Sequence, residues 1–85
     1  RLEIFKIHTR GISLAGDVNL AELAKRAKDL SGAEIEAICK EAAIIASREF
    51  FKGKTKEKIE EEMEKFKVKA NHFEQAFTEI QEIKA

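Results

Sequence analysis

Apolar residues recur every three or four positions along most of the chain, and charged residues fill the positions between them. This period is typical of amphipathic helices, whereas neither an alternating strand pattern of useful length nor an Asn-Gly hairpin signal is present. The pattern predicts a small all-α four-helix bundle, with helices over residues 2–9, 19–30, 31–52 and 71–83.

The segment 53–67, between the last two predicted helices, differs from the rest of the chain in its high charge. It reads GKTKEKIEEEMEKFK, in which Ile59, Met63 and Phe66 form a narrow stripe at helical spacing. We expect an extra amphipathic helical insert that packs loosely on the bundle, stays solvated and contributes little to stability.

Local signals mark where the helices begin and end. Ser31 and Glu34 have the spacing of a capping box, and Asn19 and Glu22 repeat it at the start of the second helix. Gly11 is placed to end the first helix in the left-handed conformation that glycine adopts readily. These signals predict the helix boundaries independently of the apolar pattern.

The start of the third helix raises a separate question, because Gly32 follows Ser31 directly. A glycine in the first turn lowers the stability of a helix relative to alanine. Either the position tolerates this loss, or some group comes very close to the backbone there.

Two of the predicted helices carry most of the expected core. The third helix has a broad apolar stripe and forms the central strut, and the last helix turns its own stripe inward. The residues expected to face inward are Leu14, Val18, Ile35, Ile38, Cys39, Ala42, Ile45, Ala46, Phe50, Phe73, Ala76, Phe77 and Ile80. Cys39 is the only cysteine, which excludes an intrachain disulfide and indicates a reducing interior; we expect an inert core thiol.

Composition limits the classes of function. The 85 residues suffice for one small domain with a marginal core, and we expect a piece of a larger protein because the sequence opens at Arg1 without an initiator methionine. Sixteen basic residues balance sixteen acidic ones, which gives no general attraction to nucleic acid or to an anionic membrane. No apolar run approaches the roughly 20 residues that span a bilayer, and no secretory signal is visible, which favours the cytoplasm.

Patterns for catalysis or metal binding are scarce. His8, Cys39 and His72 lie far apart without the spacing of metal ligands, and His72 is interpreted as a plain surface residue. No GxxxxGK phosphate loop occurs, and Ser31 has no visible base partner. We therefore expect these residues by themselves to catalyse nothing and to hold no metal.

Two alternative functions remain open on these residues. LAKRAKDLSGAEIEAI has the cadence of a helix-turn-helix DNA-binding motif, with Gly32, Ala33, Glu34 and Glu36 facing the groove. The two carboxylates would repel phosphate, and these residues offer almost no donors to guanine edges, so DNA binding is disfavoured. The other alternative is a free-standing helical protein-interaction module, which the amphipathic insert supports.

Three separated segments carry a resemblance to a known family. They read RLEIFKIHTRG, DVNLAELAKRAKDLSGAEIEAICKEAAIIASRE and VKANHFEQAF. In this order they resemble the C-terminal helical lid of AAA+ ATPases, in particular that of the valosin-containing-protein-like unfoldases and the proteasome-activating nucleotidases. The resemblance covers residues 1–51 and 68–80 and makes residues 1–85 one lid domain with the insert 53–67 outside the family pattern.

The resemblance implies a subdomain and not a complete enzyme. In that family the lid follows a large ATPase domain of the same chain, and six copies form a ring that unfolds or remodels protein substrates as a chaperone. The implied cofactor is ATP or ADP, with Mg²⁺ held by the large domain, and the lid relays the nucleotide state to the neighbouring subunit of a homo-hexamer. Whether the parent is proteasome-associated or an independent unfoldase stays open, and neither a nucleic-acid nor a membrane partner is implied.

The resemblance also assigns roles to four residues. Gly32 and Ala33, in the Ser-Gly-Ala turn, would lie beside the adenine and let the backbone approach the base. Ile4 would make an apolar contact, and His8, one helical turn further on, would contact the ribose or the base. The arginine that reaches the γ-phosphate in other AAA+ proteins has no counterpart near Ala33, which limits the contact to the base end of the nucleotide.

Two positions depart from the family pattern. Asp29 stands where glycine is commoner and would end the second helix in a left-handed conformation that suits glycine better. Lys69 stands where serine or threonine often caps the last helix. We expect the loops at these two positions to be less tightly fixed than in relatives.

Overall fold

The computed structural model describes residues 1–84, which form an all-α fold. The helices are α1 (Leu2–His8), α2 (Leu20–Arg26), α3 (Gly32–Phe51), α4 (Lys56–Glu62) and α5 (Ala70–Lys84), with a 3-10 turn at Met63–Lys65. Helices α1, α2, α3 and α5 form the predicted four-helix bundle, and α4 lies in the insert. The predicted fold class is confirmed, and the predicted bounds of α1, α3 and α5 are correct to within one residue.

Helix α3 lies at the centre of the bundle and packs against both α1 and α5. The rings of Phe5 from α1 and Phe77 from α5 lie with their centroids 6.4 Å apart, so the two outer helices also meet each other. The buried apolar core consists of Phe5, Leu23, Ala27, Leu30, Ile35, Ile38, Cys39, Ala42, Ala46, Val68, Phe73, Ala76 and Phe77. Most residues that are predicted to face inward are in this core, whereas Leu14, Val18, Ile45, Phe50 and Ile80 are only partly buried.

The second helix is shorter than predicted, because α2 ends at Arg26 and a turn carries the chain to Leu30. The N–H of Leu30 donates over 2.9 Å to the carbonyl three residues earlier, which closes the turn without a left-handed residue. No non-glycine residue among 1–84 has a positive φ, so the left-handed conformation expected at Asp29 is wrong. The corresponding prediction for Gly11, whose φ is +77°, is confirmed.

The connection between α1 and α2 is held by the segment that precedes α5. Leu14 and Val68 form an isolated parallel bridge. In it the Val68 N–H donates to the Ser13 carbonyl over 2.8 Å, and the Ala15 N–H donates to the Val68 carbonyl over 2.9 Å. Val68 is fully buried, and Leu14 and Val18 pack against the core as predicted. The bridge therefore joins two loops that are distant in sequence.

His72, in the first turn of α5, is buried, so its prediction as a surface residue is wrong. His72 is 1% exposed and not a surface residue, and its Nδ1 accepts a hydrogen bond from the backbone N–H of Lys69 over 2.9 Å. The Asp17 carboxylate accepts a second one from the N–H of Ala70 over 3.1 Å. These side chains satisfy N–H groups at the start of α5, so the helix begins without serine or threonine at Lys69. The missed signal is that His72 lies four residues before Ala76, on the buried face.

Helix α4, within the insert, buries no residue. This part of the insert therefore packs loosely on the bundle, as predicted. Phe66, after the 3-10 turn, is the exception, because it packs against the core with its ring centroid 5.3 Å from that of Phe50. The Lys54 ammonium lies 3.2 Å from the Glu62 carboxylate and, by hydrogen bonding to it, lowers the pKa of that carboxyl. Only the end of the insert therefore joins the bundle.

Alanine substitutions should separate the solvated part of the insert from its packed end. Ile59→Ala, within α4, should lower the free energy of unfolding by less than about 1 kcal/mol, because α4 buries no residue. Phe66→Ala should cost about 2 kcal/mol, since the ring is partly buried, and Ile38→Ala in the core about 2–5 kcal/mol. Urea unfolding followed by circular dichroism measures all three, and equal losses would show that α4 belongs to the core.

The Cys39 thiol should be unreactive in the folded chain. Burial raises its pKa to about 11, so very little of the nucleophilic thiolate exists at pH 8. Alkylation by iodoacetamide at pH 8, followed by mass spectrometry, should be at least about 100-fold slower than in the urea-unfolded chain. Equal rates in the two states would show that Cys39 is accessible.

Candidate functional site

The N-terminal half of α3 packs along α1, and this contact places the predicted site residues Ile4 and Gly32 side by side. A Cβ atom placed on Gly32 would lie 3.9 Å from Cδ1 of Ile4. One helical turn further along, Nδ1 of His8 lies 3.7 Å from Oε2 of Glu36. Ala33 follows Gly32 in the first turn of α3 and is exposed. We call this region, consisting of Ile4, His8, Gly32 and Ala33, the α1–α3 surface.

Gly32 is exposed, and neither its backbone nor its internal packing requires glycine. Its φ is not positive, so an alanine could adopt the same backbone conformation. The contact with Ile4 at 3.9 Å is ordinary van der Waals distance, so a methyl side chain would fit at Gly32. Two explanations remain: the position tolerates the small loss of helix stability, or an external group approaches the backbone.

The first turn of α3 is held rigidly by the predicted capping box. Oγ of Ser31 accepts from the Glu34 N–H over 3.1 Å, and Oε1 of Glu34 accepts from the Ser31 N–H over 2.7 Å. The Ser31 N–H, and then Lys84 at 3.1 Å from the other carboxylate oxygen, lower the pKa of Glu34. The turn that carries Gly32 and Ala33 is therefore fixed both by its own cap and by α5.

His8 is partly open to solvent, with its side chain 30% exposed. The Glu36 carboxylate beside it also lies 4.0 Å from the Lys40 ammonium. Glu36 therefore belongs to the surroundings of the site, although sequence reasoning did not place it there. The sequence signal that identifies Glu36 is its position four residues after Gly32, on the same face of α3.

The same contacts bear on the helix-turn-helix alternative. That interpretation requires Glu34 and Glu36 to face a DNA groove, but Glu34 is paired with Lys84 of α5 and Glu36 lies beside His8 of α1. The N-terminal half of α3 is thus partly covered by its own bundle. The 20-residue length of α3 also exceeds that of a usual recognition helix.

Residues 1–84 show neither a metal-binding cluster nor a membrane-spanning helix. No group of three or more His, Cys, Asp or Glu side chains in this part of the chain could hold a metal ion. None of its helices combines the length and the apolar composition needed to cross a bilayer. Four surface clefts of about 190 to 310 Å³ are present, and none of the four is lined by a residue of the α1–α3 surface. This surface is an open wall.

Comparison with known proteins gives a family and several relatives. The AAA+ lid domain family matches residues 17–61, which include α2, α3 and most of α4. A cell division cycle protein 48 homolog from Archaeoglobus fulgidus is 49% identical over 81 residues, which cover 94% of this chain and 11% of that protein. A proteasome-activating nucleotidase from Methanocaldococcus jannaschii is 51% identical over 73 residues, 81% of this chain and 17% of the relative.

A third relative is a protein of a different kind. An ATP-dependent zinc metalloprotease FtsH from Rhodothermus marinus is 48% identical over 62 residues, 73% of this chain and 8% of that protein. The chain thus spans less than a fifth of the length of each of these three relatives. Because the family match covers more than half of the chain and the fold is the expected helical bundle, this chain belongs to the AAA+ lid domain family.

Proposed function

We propose that the chain is the lid subdomain of an ATP-dependent protein unfoldase or remodelling ATPase, and that the α1–α3 surface forms one wall of its adenine pocket. The observation that carries this proposal is Gly32, an exposed helix residue that needs to be glycine neither for its backbone angles nor for its packing. An approaching purine supplies the missing reason.

Each residue of the α1–α3 surface has a part in this proposal. The backbone of Gly32 and Ala33 lies against the base, since a larger side chain at Gly32 would occupy the space of the ring. Ile4 adds apolar contact, and the imidazole of His8 stacks or hydrogen-bonds at the base or the ribose. When bound, ATP supplies a hydrolysable phosphate bond, and the large ATPase domain of the same chain would hold its phosphates and Mg²⁺.

The bundle is suited to relay the nucleotide state. Because α3 is a continuous 20-residue helix in the core, contact at its N-terminal end tilts the bundle as one body. Closure between lid and large domain is a hinge motion, and the tilt passes to the neighbouring subunit of a cytoplasmic homo-hexamer acting on protein substrates. The relatives named as proteasome-activating nucleotidases support the proteasome as a partner of such a ring.

The 85-residue chain alone should fold, should not hydrolyse ATP and should bind it very weakly. One wall gives a ligand too little burial for tight binding. Isothermal titration calorimetry with ATP and a phosphate-release assay check the two expectations, after circular dichroism has shown the helical fold. A micromolar dissociation constant for this chain would contradict the wall model.

Gly32→Leu in the full-length parent should weaken ATP binding at least tenfold, because the side chain projects into the space of the adenine. The same substitution should leave the lid folded, and as stable or more stable by several tenths of a kcal/mol, since leucine is the better helix former. Thermal melts of the lid and ATP titrations of the parent measure the two effects, which have opposite signs.

A matched control is Ala21→Leu, which adds a leucine to an exposed position in the first turn of α2. It should leave ATP affinity unchanged. A Gly32→Leu lid that melts well below the wild type would instead assign Gly32 to packing and would remove the support for the adenine wall.

A further inference from the structure

A second concave region lies at the opposite end of α3. This cleft of about 220 Å³ is formed by the C-terminal part of α3, the insert and the start of α5, and we call it the His72 cleft. Glu49, on its rim, lies 17 residues beyond Gly32, which corresponds to about 25 Å along the helix. The His72 cleft is therefore separate from the α1–α3 surface.

The wall of the cleft contains a buried donor that makes no well-formed hydrogen bond within residues 1–84. Because Nδ1 of His72 accepts the hydrogen bond from the Lys69 N–H, the neutral imidazole carries its proton on Nε2. This Nε2 atom is buried and has no hydrogen-bond partner among residues 1–84. The carboxylate Oε2 of Glu49 lies 3.4 Å away but does not satisfy hydrogen-bond geometry. Buried donors are almost always satisfied, so Nε2 needs an acceptor with better geometry than Glu49 has here.

The charges around the cleft favour an anionic acceptor. Four lysines line it, Lys54, Lys65, Lys67 and Lys69, against the single carboxylate of Glu49. The Lys54 ammonium is engaged by Glu62 and the Phe50 ring, whereas Lys67 and Lys69 form no ion pair within residues 1–84. Since the whole chain has no net charge, this positive charge is concentrated locally.

We propose that the His72 cleft binds a carboxylate side chain from an acidic peptide segment of a partner protein. The cleft is smaller than the roughly 300–1,000 Å³ typical of whole small-molecule sites, so it fits one or two side chains. Phe66 gives it an apolar wall for a neighbouring aliphatic group. Glu49 disfavours a dianionic phosphate more than a monoanionic carboxylate. This binding is independent of the proposed adenine contact.

The test titrates the ¹⁵N-labelled chain with a blocked pentapeptide in which two glutamates flank one leucine. Backbone amide signals of residues 65–73 should shift in a saturable way, while those around Gly32 should not. The same peptide with both glutamates replaced by glutamine should leave the spectrum unchanged, since the proposed ligand is the carboxylate.

Charge reversal gives one pair of variants with a matched control. Lys67→Glu combined with Lys69→Glu should weaken peptide binding at least tenfold. Lys25→Glu combined with Lys28→Glu makes the same change in net charge on exposed lysines of α2 and the turn after it, and should leave the affinity unchanged. If both double variants lose the same peptide affinity, the effect depends on net charge alone, and the proposed site is overturned.

Two substitutions at His72 separate binding from structure. His72→Gln keeps an amide donor near the position of Nε2 and loses the acceptor for the Lys69 N–H, so it should melt lower yet retain binding. His72→Asn keeps an acceptor near Nδ1 and loses the donor, so it should be the more stable variant and bind at least tenfold more weakly. If peptide affinity falls in the less stable variant and not in the variant that lacks the donor, the role of Nε2 is overturned.

Competing ligands decide the class of the anion. Inorganic phosphate and a short oligouridylate, each at the peptide's concentration, should leave the signals of residues 65–73 in place. Shifts as large as those from the peptide would overturn the assignment to a polypeptide carboxylate. A peptide that shifts no signal in this segment would overturn the proposal altogether.

Discussion

Burial of the apolar face of α3 between α1 and α5 is the interaction on which the rest of the molecule depends. Phe5, Phe73 and Phe77 are fully buried around this helix, and each such ring contributes on the order of 1.5–3 kcal/mol. Helix α3 packs extensively against α5, and its small residues Ala42 and Ala46 are buried. A domain of this size has a marginal core, so few such contacts are dispensable. The same contacts give α3 a fixed orientation, and both proposed binding surfaces lie along it.

The two ends of α3 present different chemistry. The N-terminal end offers exposed backbone and an isoleucine, which suit a flat ring, and Glu34 fixes this turn to both Ser31 and Lys84. The C-terminal end lies beside a cleft with several lysines and the buried donor of His72. Because one continuous helix connects them, the two surfaces keep a spacing of about 25 Å, so the two proposed ligands would not overlap.

Much of the fold is predictable from the sequence because it depends on local patterns. The period of the apolar residues predicts the bundle, and the capping box at Ser31 predicts the start of α3 to within one residue. The buried Cys39 follows from its place on the apolar stripe. The end of α2 is not predictable in this way, since Leu30 continues the helical period although the helix has already turned. His72 is predicted to be exposed because histidine is polar, but its position on the inward face of α5 makes it buried.

The sequence by itself determined the four bundle helices, the N-terminal caps of α2 and α3 and the family resemblance, because each of these depends on residues that are neighbours along the chain. Only the tertiary structure decided which side chains meet at a distance. Asp17 caps α5 across 53 residues, and Glu36 lies beside His8 because α1 packs on α3. The lysines around His72 form one cleft because the insert folds back against the start of α5. Apolar burial drives that packing and is non-directional, so a linear pattern specifies which faces are buried but not which polar groups they bring together.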